Sequence, residues 1–348
     1  MERSTLFSHG LPNPPIVWKR NARFKSAKSI IRSVFAVTFL AGFIVIFVCY
    51  LQRDCSFSLT PNLRLSPGIS QSAYRFCYKP SNSTIIFIDT TPDKDNETRW
   101  HWMEKCSFIT AAFHNSDIGV CVLTRRQQLI YAFKLFEPLV FPNLEFAPLN
   151  PSFIFEHTSA YDWYVEYALN RSRVSANIVY ELSDALRYAY LYKYGGRYMD
   201  TDSWTLRNLS GFMNVVGWAN SDTVANGLLF FERGHQFMKT ALDGIRKYFA
   251  PGRWGSIGPR LMTAIHKSNV VDNKSYKILP SNLFFPIHWS QYWLPFSPKQ
   301  VHYMRTATNK SYTLHLYGYK LTRYNLYSSK PPNGSFAGEI LQTYCEQA

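Results

Sequence analysis

The octapeptide Gly195-Gly196-Arg197-Tyr198-Met199-Asp200-Thr201-Asp202 constrains this chain more than any other stretch. A glycine pair stops a helical run, a short strand follows, and two carboxylates one residue apart stand at its tip. On extended backbone, side chains at i and i+2 point to the same side. At a strand's carboxyl end they face a crevice, where together they can hold a hard divalent cation and the phosphates it neutralises. Spacing alone is weak evidence: the chain's composition gives roughly 0.4 Asp-x-Asp matches by chance. A second match, Asp93-Lys94-Asp95, lies beside Asn96-Glu97-Thr98 in a polar segment and reads as solvated loop.

The N-terminal 32 residues carry Arg3, Lys19, Arg20, Arg23, Lys25, Lys28 and Arg32 against one acid, Glu2. Residues 33–51 then run without a charge, long enough as a helix to cross about 30 Å of hydrocarbon. The segment is longer and later than the core of a cleaved signal peptide, so it reads as a retained anchor. Its basic flank is N-terminal, which leaves residues 1–32 cytosolic and everything past 51 on the other side, a type II arrangement in the lipid bilayer. Sequons at Asn82, Asn96, Asn170, Asn208, Asn273, Asn309 and Asn333 agree with a secretory lumen. Cys49 falls in the span. Of Cys55, Cys77, Cys106, Cys121 and Cys345 beyond it, leaving Cys55 aside, the other four allow three pairings. No cysteine spacing suits a structural zinc site.

The net charge is +15, of which the tail accounts for +6, leaving +9 beyond it. A basic lumenal part suits an anionic ligand such as a nucleotide diphosphate, and the topology argues against nucleic acid. Residues 52–80, with Pro61, Pro67, Gly68 and Pro80, read as a stem, and residues 81–348 as one catalytic domain. Strands are expected at Ile85–Ile88, Ile118–Leu123, Arg197–Asp200, Val215–Trp218, Gly227–Phe231 and Tyr312–Tyr317. Helices are expected at Trp100–His114, Tyr161–Leu169, Ile178–Tyr194 (with Ser183 as a cap) and Gln236–Phe249. Strands alternating with helices predict an α/β domain, an open Rossmann-like sheet with its site at the strands' carboxyl ends.

Leu182-Ser183-Asp184-Ala185-Leu186-Arg187, followed by Tyr194 to Asp202, resembles the donor-binding core of the α-1,4-glycosyltransferases, Golgi type II membrane proteins. The likeness continues through Ala225-Asn226-Gly227, Phe231-Glu232-Arg233, Trp254-Gly255 with Gly258-Pro259, Phe285-Pro286-Ile287 and Leu314-His315-Leu316, and spans most of residues 84–345. It implies a GT-A-like fold, a Golgi membrane location and metal-dependent, retaining transfer of galactose or an N-acetylhexosamine from a UDP-sugar. The acceptor implied is the terminal sugar of a glycolipid of the lactosylceramide type or of another glycan. A second copy of the chain is a further candidate partner.

The resemblance distributes roles. Asp200 and Asp202 are the catalytic pair and, with His315, the ligands of Mn²⁺ or Mg²⁺; an imidazole shifts the preference toward Mn²⁺. Asp184 and Arg187, three residues apart on one helix face, would meet sugar hydroxyls and phosphate oxygens. Asp200, Asn226 and, after the first strand, Asp89 complete the donor-binding set, with Tyr198 either stacking near the ribose or serving as a plain core aromatic. Tyr317 stands where the family has Trp, and Ser256-Ile257 where it has His-Gln, at a position expected to help choose the sugars. Trp218 and Trp289 are candidate platforms for an acceptor ring. Retention would follow from attack on the face the phosphate leaves, with the phosphate as base. The rival readings are an aspartate-nucleophile phosphatase and a noncatalytic sugar-binding protein. The phosphatase motif wants Thr or Val where Trp204 stands, and belongs on a domain's first strand.

Overall fold

A computed structural model describes residues 74–92, 100–126, 129–130, 141–169, 177–323 and 328–346, all within one unit, Ile69–Ala348. The tail (1–32), the expected anchor (33–51), most of the expected stem, Asn96, Asn170 and the Asp93–Asp95 pair lie outside the described residues. Among the described residues no helix is long and apolar enough to cross a membrane.

The principal elements are β1 (Thr84–Asp89), α1 (Trp102–His114), β2 (Gly119–Thr124), β3 (Leu144–Pro148), α2 (Ile178–Tyr194), β4 (Gly196–Met199), β5 (Ser203–Thr205), β6 (Val215–Trp218), β7 (Val224–Phe231), α3 (Gln236–Tyr248), α4 (Pro259–Ser268), β8 (Lys277–Leu279) and β9 (Thr313–His315). Seven strands form one mixed sheet in the order β3-β2-β1-β4-β7-β6-β8. β1, β2, β3 and β4 run parallel, whereas β7 is antiparallel to both β4 and β6. The chain moves outward from β1 to β2 and β3, then returns to place β4 on the other side of β1. That reversal opens a crevice at the carboxyl ends of β1 and β4.

β1, β2 and β7 are buried along their whole length, as expected for apolar runs covered on both faces. One apolar layer packs α2, α3 and α4 on the sheet, and another packs Phe108, Phe146, Met199 and Phe230 on the opposite face. α2 ends where Gly195 takes φ 73°, the left-handed stop its sequence predicts. Gly195 N–H returns to Leu191 O at 2.8 Å, and β4 begins at the next residue.

Several elements depart from expectation. Ser183 does not cap α2; it lies inside the helix, where its hydroxyl meets Arg187. Tyr161–Leu169 is a short α turn followed by a π-helical segment. Phe113, expected on the apolar side of α1, is exposed against Tyr344. β3 is an edge strand whose Glu145 and Pro148 break an apolar pattern. Its glutamate accepts backbone N–H bonds from Arg75, Phe76 and Cys77. The stem boundary at residue 80 therefore falls inside the folded unit: Cys77 and Tyr78 are buried, and Cys77 is bonded to Cys121. Cys106 pairs with Cys345, which selects one of the three pairings.

A second, two-stranded sheet pairs β5 with β9, setting Ser203 opposite His315 and Trp204 opposite Leu314. This register carries a residue more than a hundred positions away to the aspartate tip. Cys345→Ser, which opens a link closing most of the domain, is expected to cost about 2–5 kcal/mol in denaturant unfolding. Peptide mapping without reductant should recover Cys77–Cys121 and Cys106–Cys345; a Cys77–Cys106 peptide would refute this pairing.

Candidate active site

Four elements meet at the crevice. α2 brings Asp184 and Arg187, the end of β4 brings Asp200 and Asp202, β7 brings Asn226 and Gly227, and β9 brings His315. The turn after β4 is held by its own backbone: Asp200 N–H reaches Gly227 O at 2.8 Å and Ser203 N–H reaches Asp200 O at 3.0 Å.

Arg187 is 4% exposed and all its donors are engaged inside the protein. Nε donates to Ser183 O (3.1 Å), Nη1 to Asn226 O (2.7 Å) and Asp200 Oδ1 (3.1 Å), and Nη2 to Ser183 Oγ (2.9 Å) and Asp184 Oδ1 (3.1 Å). It therefore has no donor left for a sugar or phosphate and instead positions two carboxylates. Tyr198, 1% exposed, lies beneath it with the guanidinium 4.4 Å from the ring centroid. Its hydroxyl donates to Asp200 Oδ1 at 2.6 Å. A ring so covered cannot stack on a ribose, so of the two roles expected for Tyr198 the donor contact is corrected and the buried core aromatic is the one found.

Asp200 Oδ1 is thus occupied by Arg187 and Tyr198, and Oδ2 is the oxygen turned toward His315 Nε2, at 3.5 Å. An added Cβ on Gly227 would stand 2.6 Å from this Oδ2, so the glycine admits the carboxylate of the protein itself. Asp202 Oδ1 lies 3.2 Å from His315 Nε2, while its Oδ2 accepts Gly318 N–H at 2.7 Å. Tyr317 takes φ 54°, and this left-handed turn aims two successive amides inward: its own at His315 Nδ1 (3.3 Å) and that of Gly318 at Asp202. The Tyr317 hydroxyl is fixed on Ile287 O, which accounts for the tyrosine at this position.

Burial disfavours the charged form of His315, but the Asp202 charge and hydrogen bonds to both aspartates override it and push its pKa up to about 10. Burial works against the Asp202 carboxylate as well, yet His315 and the Gly318 amide hold it below the usual range. Asp184 is raised to about 6, chiefly by burial, with Arg187 opposing; Asn226 Nδ2 donates to its Oδ1 at 2.7 Å. Asp184 and Asn226 thus form one buried pair on the crevice wall.

Oxygens of Asp200 and Asp202 and a nitrogen of His315 all lie within 4.8 Å of one another. Two carboxylates and an imidazole suit Mn²⁺ or a similar divalent ion. The Tyr317 amide can donate to Nδ1 only when the ring is neutral and protonated at Nε2, so the imidazolium form, and equally ligation through Nε2 with the remaining proton on Nδ1, would require that amide to move off Nδ1.

Asp89 is at the end of β1 beside this group, but its carboxylate is spent internally. Oδ2 accepts from Thr124 Oγ1 and Arg126 Nε, each at 2.7 Å, and Oδ1 from Thr91 N–H. Arg126 also holds Glu104 at 2.9 Å. Asp89 belongs to a buried ionic triad that fixes the β1 end, which corrects its expected contact with the donor. The triad has no local sequence signal, because its members come from β1, α1 and the segment after β2. Ser256 and Ile257 are buried, whereas Trp254 just before them is exposed. Trp218 is half-buried against His266, and Trp289 is half-exposed beneath Lys320. Asn82, Asn208, Asn273, Asn309 and Asn333 are exposed.

Comparison with known proteins matches residues 102–222 to the glycosyltransferase sugar-binding region containing the DXD motif, and residues 230–348 to the alpha 1,4-glycosyltransferase conserved region. The chain is 30% identical to lactosylceramide 4-alpha-galactosyltransferase of Mus musculus over 266 residues, 72% of this chain and 71% of that protein. It is 28% identical to alpha-1,4-N-acetylglucosaminyltransferase of Homo sapiens over 190 residues, 51% of this chain and 53% of that one. A solved galactosyltransferase, LgtC in complex with donor and acceptor sugar analogs, gives a TM-score of 0.43 at 13% identity, covering 75% of this chain and 96% of that one. That structural likeness is too slight to add weight.

In the metal-free protein, the stabilisation from the His315–aspartate contacts is fully present below His315's unfolded value of 6.5 and is lost as pH rises through about 10. Divalent-cation binding competes with that proton, so it should tighten by about tenfold per pH unit across the same window. Calorimetric titrations in buffers of different ionisation heat are expected to count about one proton released per ion bound.

Proposed function

This chain belongs to the α-1,4-glycosyltransferase family, and from that premise we propose that it moves galactose or an N-acetylhexosamine from a UDP-sugar, with retention, onto the terminal sugar of a glycolipid. It is a glycosyltransferase with a DXD region. The observation that carries the finer reading is the convergence of Asp200, Asp202 and His315 at the crevice. Asp202 and the Oδ2 of Asp200 would hold a divalent ion, with His315 as the nitrogen ligand that favours Mn²⁺. Such an ion, when bound, supplies Lewis-acid neutralisation of the diphosphate leaving group.

The chain's own groups do the rest. Arg187 and Tyr198 hold Asp200 with one oxygen facing inward. Asp184, paired with Arg187, accepts hydrogen bonds from donor-sugar hydroxyls, its orientation set by Asn226 and Arg187. Because Asp184 and Asp200 share one guanidinium, both suit holding a substrate better than attacking it. This favours same-face departure and attack, with the leaving phosphate as base.

The charge-free segment 33–51 with its basic flank supports a type II anchor in the Golgi membrane, the domain lumenal. Two disulfides suit that oxidising compartment. The exposed Asn82, Asn208, Asn273, Asn309 and Asn333 are candidate glycan carriers. Anchoring near the bilayer favours a glycolipid acceptor. Likeness to an N-acetylglucosaminyltransferase keeps glycoprotein glycans and UDP-N-acetylglucosamine as the second reading.

The full-length protein, solubilised in detergent, should be offered UDP-galactose, UDP-N-acetylgalactosamine and UDP-N-acetylglucosamine with Mn²⁺ on acceptors ending in galactose or N-acetylgalactosamine. One donor should transfer, and a chelator should abolish it; transfer indifferent to the chelator would refute the metal reading. Asp202→Asn is expected to lower kcat by more than about a hundredfold while the protein still folds and leaves the endoplasmic reticulum. His315→Ala should raise the Mn²⁺ requirement by about 10–100-fold, read from an Mn²⁺ titration of the rate.

A further inference from the structure

α1 runs alongside the aspartate turn, and residues of one of its faces grip that segment at three successive points. Met103, Ser107 and Thr110 are spaced by four and three, so they share that face. Trp204 Nε1–H donates to Met103 O at 3.0 Å, Ser107 Oγ donates to Thr201 O at 2.7 Å, and Thr205 N–H donates to Thr110 Oγ1 at 3.1 Å. The middle contact is unusual. A serine inside a helix commonly bonds back to the carbonyl four residues earlier, and Met103 O is available at 3.1 Å. A hydroxyl has one proton, and the shorter bond to Thr201 is the better use of it.

Thr201 is the residue between the two aspartates. Fixing its carbonyl fixes the Thr201–Asp202 peptide plane, while the plane before it is held through Asp200 O, which accepts Ser203 N–H at 3.0 Å; together they set the directions in which Asp200 and Asp202 leave the backbone. The other groups of the turn are tied elsewhere: Asp200 N–H to β7, Asp202 O to Leu316 N–H at 2.9 Å. The same helix touches the second wall of the site, since Met103 Cε packs on Gly318, whose amide holds Asp202. α1 is itself pinned to the chain's end through Cys106–Cys345.

We infer that α1 is the brace that sets the spacing of Asp200, Asp202 and His315, with Ser107 as its positioning residue for metal binding. This rests on the reading of those three residues as the metal site. Ser107 is fully buried and touches no ligand, so its effect must run through the Thr201 peptide.

The test is direct Mn²⁺ binding to the full-length protein, followed by the electron paramagnetic resonance signal of free Mn²⁺, beside thermal unfolding. Ser107→Ala is expected to raise the Mn²⁺ Kd by about tenfold, the loss typical of a group supporting a metal ligand. Thr110→Val removes the neighbouring contact from the same helix face. It should lower the unfolding temperature comparably while leaving the Kd within about twofold. An unchanged Kd in Ser107→Ala, or an equal loss in Thr110→Val, would overturn the inference. If Ser107→Ala does not fold, Ser107→Cys keeps the volume with a weaker donor, and a wild-type Kd there would overturn it equally. Failure of the unaltered protein to bind Mn²⁺ would instead sink the metal site itself.

Discussion

Alternation of charge holds the crevice together. Asp184, Arg187, Asp200, His315 and Asp202 follow one another in space, acid and base by turns, each within 3.5 Å of the next. One buried and two half-buried carboxylates are kept side by side this way; for the buried Asp184–Arg187 pair, removing one partner costs about 3–5 kcal/mol. Arg187 is a permanent cation and serves the half toward Asp184. His315 is a removable one and serves the half toward Asp202. A divalent ion held by Asp200 and Asp202, as proposed, would take over the charge that the His315 proton supplies, so that half of the line would exchange its cation while the other stays rigid.

The line is assembled from α2, β4 and β9, and its registers make it possible. β4 lies between β1 and β7, which sets Asp200 against Gly227 of the neighbouring strand. The β5–β9 pairing puts His315 across from Ser203. A slip of one residue in that small sheet would turn the imidazole to the opposite face. Trp204, buried and bonded to α1, opposes Leu314 in the same sheet, so apolar packing and ligand geometry are specified together.

Sequence made some of this legible. The aspartate tip carried a local pattern of helix, glycine stop, strand and paired acids, and each part stands where expected. His315 was reachable only through family resemblance, since a lone histidine on an apolar strand has no spacing that marks it. Arg187 and Tyr198 show the opposite limit. Their positions relative to the aspartates were read correctly, but i,i+3 spacing tells which face a side chain shares and says nothing about whether that face opens to substrate. Both turned out to be the floor under Asp200. Asp89 failed for a related reason: its partners Arg126 and Glu104 are remote in sequence, and only the fold reveals that the carboxylate is already satisfied. The strand Leu144–Pro148 and the folded segment around Cys77 escaped because a glutamate and prolines mimic loop chemistry, while Glu145 is in fact the acceptor that ties that segment down.

Inward-turned donors change how the site divides its labour. Had Arg187 reached the substrate, its loss would weaken donor binding and leave the metal ligands in place. Fixed as it is on Asp184, Asp200, Ser183 and Asn226, it links the carboxylate proposed to hold the sugar to one proposed to hold the metal. Displacement of either acid shifts the shared guanidinium and is felt by the other. Close packing leaves no slack to absorb such a shift, because Tyr198 fills the space beneath the guanidinium and Gly227 leaves no room beside Asp200 Oδ2. On the proposed reading, sugar and metal positions would therefore be set by one rigid unit, and a donor would be held correctly at its reacting carbon only when both of its ends fit that unit together.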